Sequence, residues 1–407
     1  LSSAFENVFI KYFGKVQYPN LYGFVLAPAA FGKGGVTWAK HLVKGIDKLK
    51  IDEYNEEVAR IKEEAEMDNK KKAKIELPTT RCHKKWTKGL RSQPSTKGGI
   101  VIMTQKFNTK ITEMLGIEHP ILCGGMQWIS RAEIVAAVAN AGGIGFITAE
   151  SLETPEDLRE EIKKIRDLTD KPFGINLSMV PEFGLPERTL QFCDVVVAEG
   201  VKVVETAGRS PEPLMPKLKE GGVKVIHKLT SVRHALSAQR LGVDAVTMIG
   251  FGSGGHIGND NVGSYIMIPK AVAALDIPVI AGGGICNGKG FLAALAMGAE
   301  AVLMGTAFMM TRECRIHQNI KDRLLETKET DTALLLTTIM NPIRCMKNKL
   351  ADECLAIEAE GAGFEEIIKT VAGGKGQIAY DRGDPDGSPI ACGLIAGLID
   401  EIKTVQQ

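Results

Sequence analysis

No apolar run in the 407 residues approaches the ~20 needed to cross a bilayer, and the first residues show no charged-then-apolar leader pattern. Paired cysteines are missing too. The eight cysteines (Cys82, Cys123, Cys193, Cys286, Cys314, Cys345, Cys354 and Cys392) are scattered, with no Cys-x-x-Cys pair. In a chain long enough for an ample core, that spread argues against a disulfide framework or a structural zinc. It reads as reduced thiols in a cytoplasm. An overall excess of charge is also lacking, the net being +1. What remains is a globular composition, 44% hydrophobic and 24% charged with mean hydropathy near zero. The length suits one large α/β domain with an appendage, or two domains.

The balanced total hides an asymmetry. Residues 1–102 carry 19 basic and 11 acidic residues, against 31 and 38 in the remainder. The Lys/Glu-rich stretch Ile51 to Lys74 has helical character, and Lys70–Lys74 and Arg81–Trp86 are basic. Such charge runs are usually solvated tails, so no nucleic-acid partner is expected. The chain begins with Leu, and Lys97-Gly-Gly-Ile-Val-Ile-Met103 precedes an ordinary-looking protein start. The expectation is a basic extension over 1–102, from an upstream reading frame or a fusion, ahead of an enzyme that begins at Met103. The codons of Gly98 and Gly99 decide this: a purine-rich run would be a ribosome-binding site read in frame.

From Met103 onward, short runs rich in Val and Ile alternate with amphipathic stretches. The expected strands are Pro120–Gly124, Ile144–Ala149, Pro172–Ser178, Val201–Thr206, Lys224–Leu229, Ala245–Ile249, Pro278–Gly282 and Ala301–Met304. Strand–helix alternation points to a parallel sheet covered by helices. Eight repeats favour a (β/α)₈ TIM barrel over residues 103–312, rather than a doubly wound open sheet. Helical segments near Ile316–Thr327 and Phe364–Ala372 suggest that 313–407 form a helical segment beside the barrel mouth. Asp381, Asp384 and Asp386 lack the Glu of a calcium loop and read as a turn, with no metal.

Barrel chemistry collects where strands end, and the unusual residues fall there. Gly124-Gly-Met126 follows the first strand, Asn176 lies towards the end of the third, and Lys228 towards the end of the fifth. Gly250-Phe-Gly-Ser-Gly-Gly-His-Ile-Gly-Asn-Asp260 follows the sixth, with five glycines in eleven residues around His256. Each glycine costs roughly 0.5–1 kcal/mol against alanine in a regular element, so this loop signals backbone passing close to something. Gly282-Gly-Gly284 and Gly305-Thr306 follow the last two strands. Glycines there let backbone N–H groups approach an anion, and barrels often build a phosphate site from these two loops. A sugar-phosphate lyase or isomerase would use such a site without colour.

Seven motifs in order make the stretch from Ile111 to about Ile399 resemble the nitronate monooxygenase (2-nitropropane dioxygenase) family and its relatives, the FMN-dependent enoyl-acyl-carrier-protein reductases. They are Pro120–Met126, Ala139–Gly145, Lys171–Leu177, Val225–Ser231, Gly254–Gly258, Ile280–Gly284 and Met304–Phe308. The resemblance implies FMN held by Gly125, Met126, Asn176, Lys228, Asp244, Gly255, Gly283, Gly284, Gly305 and Thr306. Lys228 would stabilise the reduced ring. Asp244 begins the sixth strand, away from the mouth in a simple layout.

The resemblance makes His256 the catalytic histidine, and an imidazole with an ordinary pKa near 6.5 can carry a proton at neutral pH. It would take an α-proton from a nitroalkane or orient an alkyl nitronate, with O₂ as acceptor; this is the main expectation. On the rival reading, an NAD(P)H-dependent enoyl-thioester reductase, it would support protonation after hydride transfer. A flavin-binding protein without catalysis would be yellow but inert. An inosine-monophosphate-dehydrogenase-like reaction needs a mobile cysteine, and Cys286 follows the phosphate glycines, where it does not fit. His119, His227 and His234 read as structural. Met126, Trp128, Met179 and Phe251 suggest an apolar pocket. The partners expected are a small substrate and O₂ or NAD(P)H, with no membrane; a homodimer is left open.

Overall fold

The computed structural model describes residues 107–179, 187–371 and 375–407 together with four strands nearer the N-terminus. The chain divides into two compact units, Leu1–Lys88 and Gly89–Gln407. In the first, Ile10–Tyr12 pairs antiparallel with Lys15–Gln17. The expected helix over 51–74 and the two basic runs lie outside the described residues. In the second, an antiparallel hairpin joins Leu90–Lys97 to Ile100–Phe107, so regular structure runs straight across the expected start at Met103.

The expected barrel is present and closed. Its eight parallel strands are β1 (Ile121–Cys123), β2 (Ile144–Thr148), β3 (Gly174–Met179), β4 (Val203–Gly208), β5 (Lys224–Leu229), β6 (Ala245–Ile249), β7 (Val279–Gly282) and β8 (Ala301–Met304). β8 returns to β1 through Val302↔Ile121. The outer helices follow from capping and periodicity. In Pro155–Leu168, the Thr154 hydroxyl accepts the Asp157 N–H while the Asp157 carboxylate accepts the Thr154 N–H. Proline fills the first helical position, and Leu158, Glu161, Ile162 and Ile165 form the buried stripe. Replacing Thr154 by Ala removes a cap worth about 1 kcal/mol.

Side chains alternate along each strand, and the alternation separates two cores. Ile147, Ile175, Val204, Val225, Val246 and Val302 pack outward beneath the helices. Leu122, Ile144, Phe146, Val203, Ile226, Ala245, Ile280 and Ala301 form the inner cluster. The helix Lys110–Leu115 contributes Ile111 and Leu115 to that inner cluster. Two residues further along the inner face come Thr148, Asn176, Glu205, Lys228 and Thr247. The interior is therefore apolar towards the strand starts and polar near the mouth.

The C-terminal segment differs from the all-helical expectation. Helices Gln318–Leu325, Lys349–Ala359, Phe364–Val371 and Lys375–Arg382 are there, but so are two strands, β9 (Thr332–Leu335) and β10 (Ile343–Met346). They pair antiparallel, and β10 also pairs with the two-residue strand Gly255–His256 from the loop after β6. Helical periodicity in the flanking segments hid this sheet, because its third member is some 90 residues away in sequence. Asp384 belongs to a turn, as expected: its Oδ1 accepts the Asp386 N–H at 3.0 Å.

Candidate active site

A buried carboxylate organises the mouth. Glu205, on the inner face of β4, has no solvent exposure, and its Oε2 accepts three hydrogen bonds. The donors are Asn176 Nδ2 at 2.6 Å, Lys228 Nζ at 3.0 Å and Gly125 N at 3.2 Å. The strand register brings this about, since Asn176 on β3 is the partner of Glu205 on β4. Ser178 donates to Asn176 Oδ1 at 2.9 Å, which fixes the amide. Gly125 must be glycine, because a Cβ there would lie 2.4 Å from the Asn176 side chain. The Met126 N–H donates to Ser130 Oγ at 2.9 Å. Sequence reasoning missed Glu205. A lone carboxylate inside the apolar run Val-Val-Glu-Thr-Ala was the available signal, since parallel strands are buried on both faces.

His256 faces the same mouth. Its residue remains exposed to water. Desolvation, helped by the positive charge of Lys228, holds its pKa below the ordinary histidine value. That shift favours the neutral imidazole. Its backbone is fixed from the C-terminal sheet, in the register Gly255↔Arg344 and His256↔Ile343. Arg344 is buried; its guanidinium lies 4.7 Å from the centroid of the Phe251 ring and donates to Phe251 O and Thr332 Oγ1. Gly255 has φ +71° with no atom within 4 Å of where a Cβ would stand. The glycines therefore serve both a left-handed turn and open space beside the histidine.

The two glycine loops lie at the same end of the barrel. Gly283 and Gly284 have φ +85° and +80°. A Cβ on Gly283 would collide with Ser253 Oγ, whereas Gly284 has open space. Thr306 Oγ1 accepts the Gly393 N–H at 2.9 Å. Its hydroxyl hydrogen stays available to donate to an anion beside Gly305. Leu394 N donates to Gly252 O at 3.0 Å, so the C-terminal segment connects the His256 loop to the end of β8.

Asp244 is not brought to this mouth. It precedes β6 at the opposite end of the barrel, paired with Lys219 at 2.8 Å and Lys224 at 3.0 Å and accepting the Val225 N–H. Burial raises its pKa, but those three partners outweigh burial and leave it lowered. The other predicted residues converge. His227 is buried and hydrogen-bonded to Thr206 Oγ1 at 2.9 Å, a structural role. Trp128 holds φ +65°, and its N–H donates to Ser151 Oγ at 2.7 Å.

A flat anionic cofactor fits these residues. Glu205 Oε1, Thr148 Oγ1 and Thr247 Oγ1 are buried without a partner among the described residues. Glycine backbone with open space on one side of the mouth suits a phosphate, and Lys228 with Asn176 suits a polar ring.

The profile of the nitronate monooxygenase family matches residues 108–407. A (3aS,4S,5R,7aS)-5-hydroxy-7a-methyl-1-oxo-octahydro-1H-indene-4-carboxyl-CoA dehydrogenase of Rhodococcus jostii is 36% identical over 246 residues, 60% of this chain and 67% of its own. A probable nitronate monooxygenase of Staphylococcus saprophyticus is 32% identical over 60% of this chain and 80% of its own. Among solved structures, FabK of Thermotoga maritima, an enoyl-acyl-carrier-protein reductase, is 37% identical. It covers 74% of this chain and 93% of its own, with a TM-score of 0.69. A nitroalkane oxidase of Streptomyces ansochromogenes, 24% identical with a TM-score of 0.61, agrees in fold. The chain therefore belongs to the nitronate monooxygenase family of oxidoreductases.

Proposed function

We propose that the chain is an FMN-dependent oxidoreductase acting on an acyl thioester, with His256 handling the proton. FMN would be held by Gly125 and Met126, by Asn176 and Lys228, by Gly255, and by Gly283, Gly284, Gly305 and Thr306. Bound there, it supplies the two-electron acceptor and donor.

One observation carries the choice of substrate: Lys228 is paired with the buried Glu205 carboxylate at 3.0 Å. The paired lysine offers no net positive charge to an anion. A nitronate is an anion, whereas the reacting end of a thioester is neutral. The neutral imidazole is a base suited to take the proton from the carbon next to the thioester carbonyl, or to return it in the reverse direction. The dehydrogenase and FabK relatives, 36% and 37% identical, support this class. Oxidation of alkyl nitronates stays as a second reading because curated relatives bear that name.

The test is an anaerobic visible spectrum of the FMN-loaded protein. An acyl-CoA, propyl nitronate, and NADH or NADPH are added to separate samples. Bleaching by acyl-CoA, or by NAD(P)H with recovery on adding an enoyl-CoA, supports the thioester reading. Bleaching by nitronate alone, reversed by air, selects the second. A protein that takes up no FMN sinks both. His256→Asn is expected to keep the flavin and lose about 10²–10⁴-fold in turnover.

A further inference from the structure

We propose that Glu205 is a positioning residue for the redox centre: acting through Lys228, it sets the charge beneath the site and holds the flavin's reduction potential down. This rests on the flavin reading above. Three donors from three different strand ends meet on one oxygen of a carboxylate that has no exposure. A buried charge is costly unless paired. Here the pairing cation is Lys228, the one lysine among the described residues that the inner face of the barrel turns to the mouth.

Consider Lys228 with and without its partner. Gaining two electrons and one proton leaves the flavin ring with one additional negative charge. An unpaired lysine beside it would favour that state, and a nearby cation is a standard means of raising a flavin's potential. Glu205 opposes the lysine at 3.0 Å in a region of low dielectric, where charges act strongly. The consequence is a flavin that gives up its electrons more readily than Lys228 alone would allow.

The charged groups around His256 supply a second readout. Lys228, with Glu205 behind it, faces His256 from the barrel, and Lys228 already depresses its pKa. On the sheet side, Arg344 is turned to Phe251 and Thr332. Removing the negative partner must therefore depress His256 further.

The experiment uses the full FMN-loaded chain in a dye-equilibrated reductive titration, with Glu205→Gln, Lys228→Met and the double variant. Glutamine keeps an oxygen for the three donors and removes the charge. Glu205→Gln is expected to shift the two-electron equilibrium towards reduced flavin at least tenfold, about 30 mV. Lys228→Met should shift it the other way, and the double variant should fall between the two. In parallel, imidazole NMR titration of the flavin-free chain should place His256 lower in Glu205→Gln and higher in Lys228→Met. A purely structural Glu205 would change flavin affinity or stability and leave both readouts where they were. That outcome, with FMN bound, overturns the inference while the flavin reading stands. Should the wild-type chain take up no FMN, both fall together. If Glu205→Gln does not fold, Lys228→Met decides alone, because it exposes the site to an uncompensated carboxylate. An unchanged potential in that variant overturns the proposal.

Discussion

Two acid–lysine clusters sit at opposite ends of one barrel. At the strand starts, Asp244 pairs with Lys219 and Lys224, whose side chains are 42% and 47% exposed. At the mouth, Glu205 pairs with Lys228 and has no exposure at all. The same chemistry has different consequences in the two places. Water reaches and screens the two outer lysines, so the loss of either ion pair there is mild. The inner carboxylate has no such screening, and three side-chain and backbone positions depend on it. The depth of an ion pair in the fold, more than its length in ångströms, decides what it controls.

The comparison can be broken at its stronger end first. Glu205→Leu leaves Lys228 without its counter-charge and should destabilise the chain by about 3–5 kcal/mol, read as a lower urea midpoint. Acid gives the next effect. Burial pushes the pKa of His227 down from 6.5 to about 4. The unfolded chain therefore binds that proton more readily, and folding stability is lost as pH falls from about 6.5 to about 4. The loss is on the order of 3 kcal/mol, and His227→Leu should flatten the pH dependence of the thermal midpoint in that window. Asp244→Asn gives the smallest effect, under about 1 kcal/mol. It should also leave FMN affinity unchanged; a loss of flavin in that variant would mean that both ends of the barrel serve the site.

Much of this was legible in the residues. All eight barrel strands lie within two residues or so of the runs that announced them, because buried parallel strands read as Val/Ile runs bounded by glycine. The glycine loops and His256 fall at the mouth because strand ends carry them there. Asp244 was separable from the rest by position alone, one residue before its strand. Glu205 was not recognised, since its meaning lies in register: only pairing β3 with β4 puts it beside Asn176. Nor could Ile343–Met346 be read as the partner of Gly255–His256, because non-local pairing leaves no local period.

That last pairing also governs when, during synthesis, the His256 loop can take its final conformation. The barrel's final strand ends at Met304, but the residue that fixes the backbone of His256 is Ile343, 39 positions later. At ribosomal rates of 5–20 residues per second, about 2–8 s separate synthesis of the last barrel strand from that of the residue that aligns the histidine. Nascent chains would therefore complete the barrel scaffold before the His256 loop gains the strand that sets it.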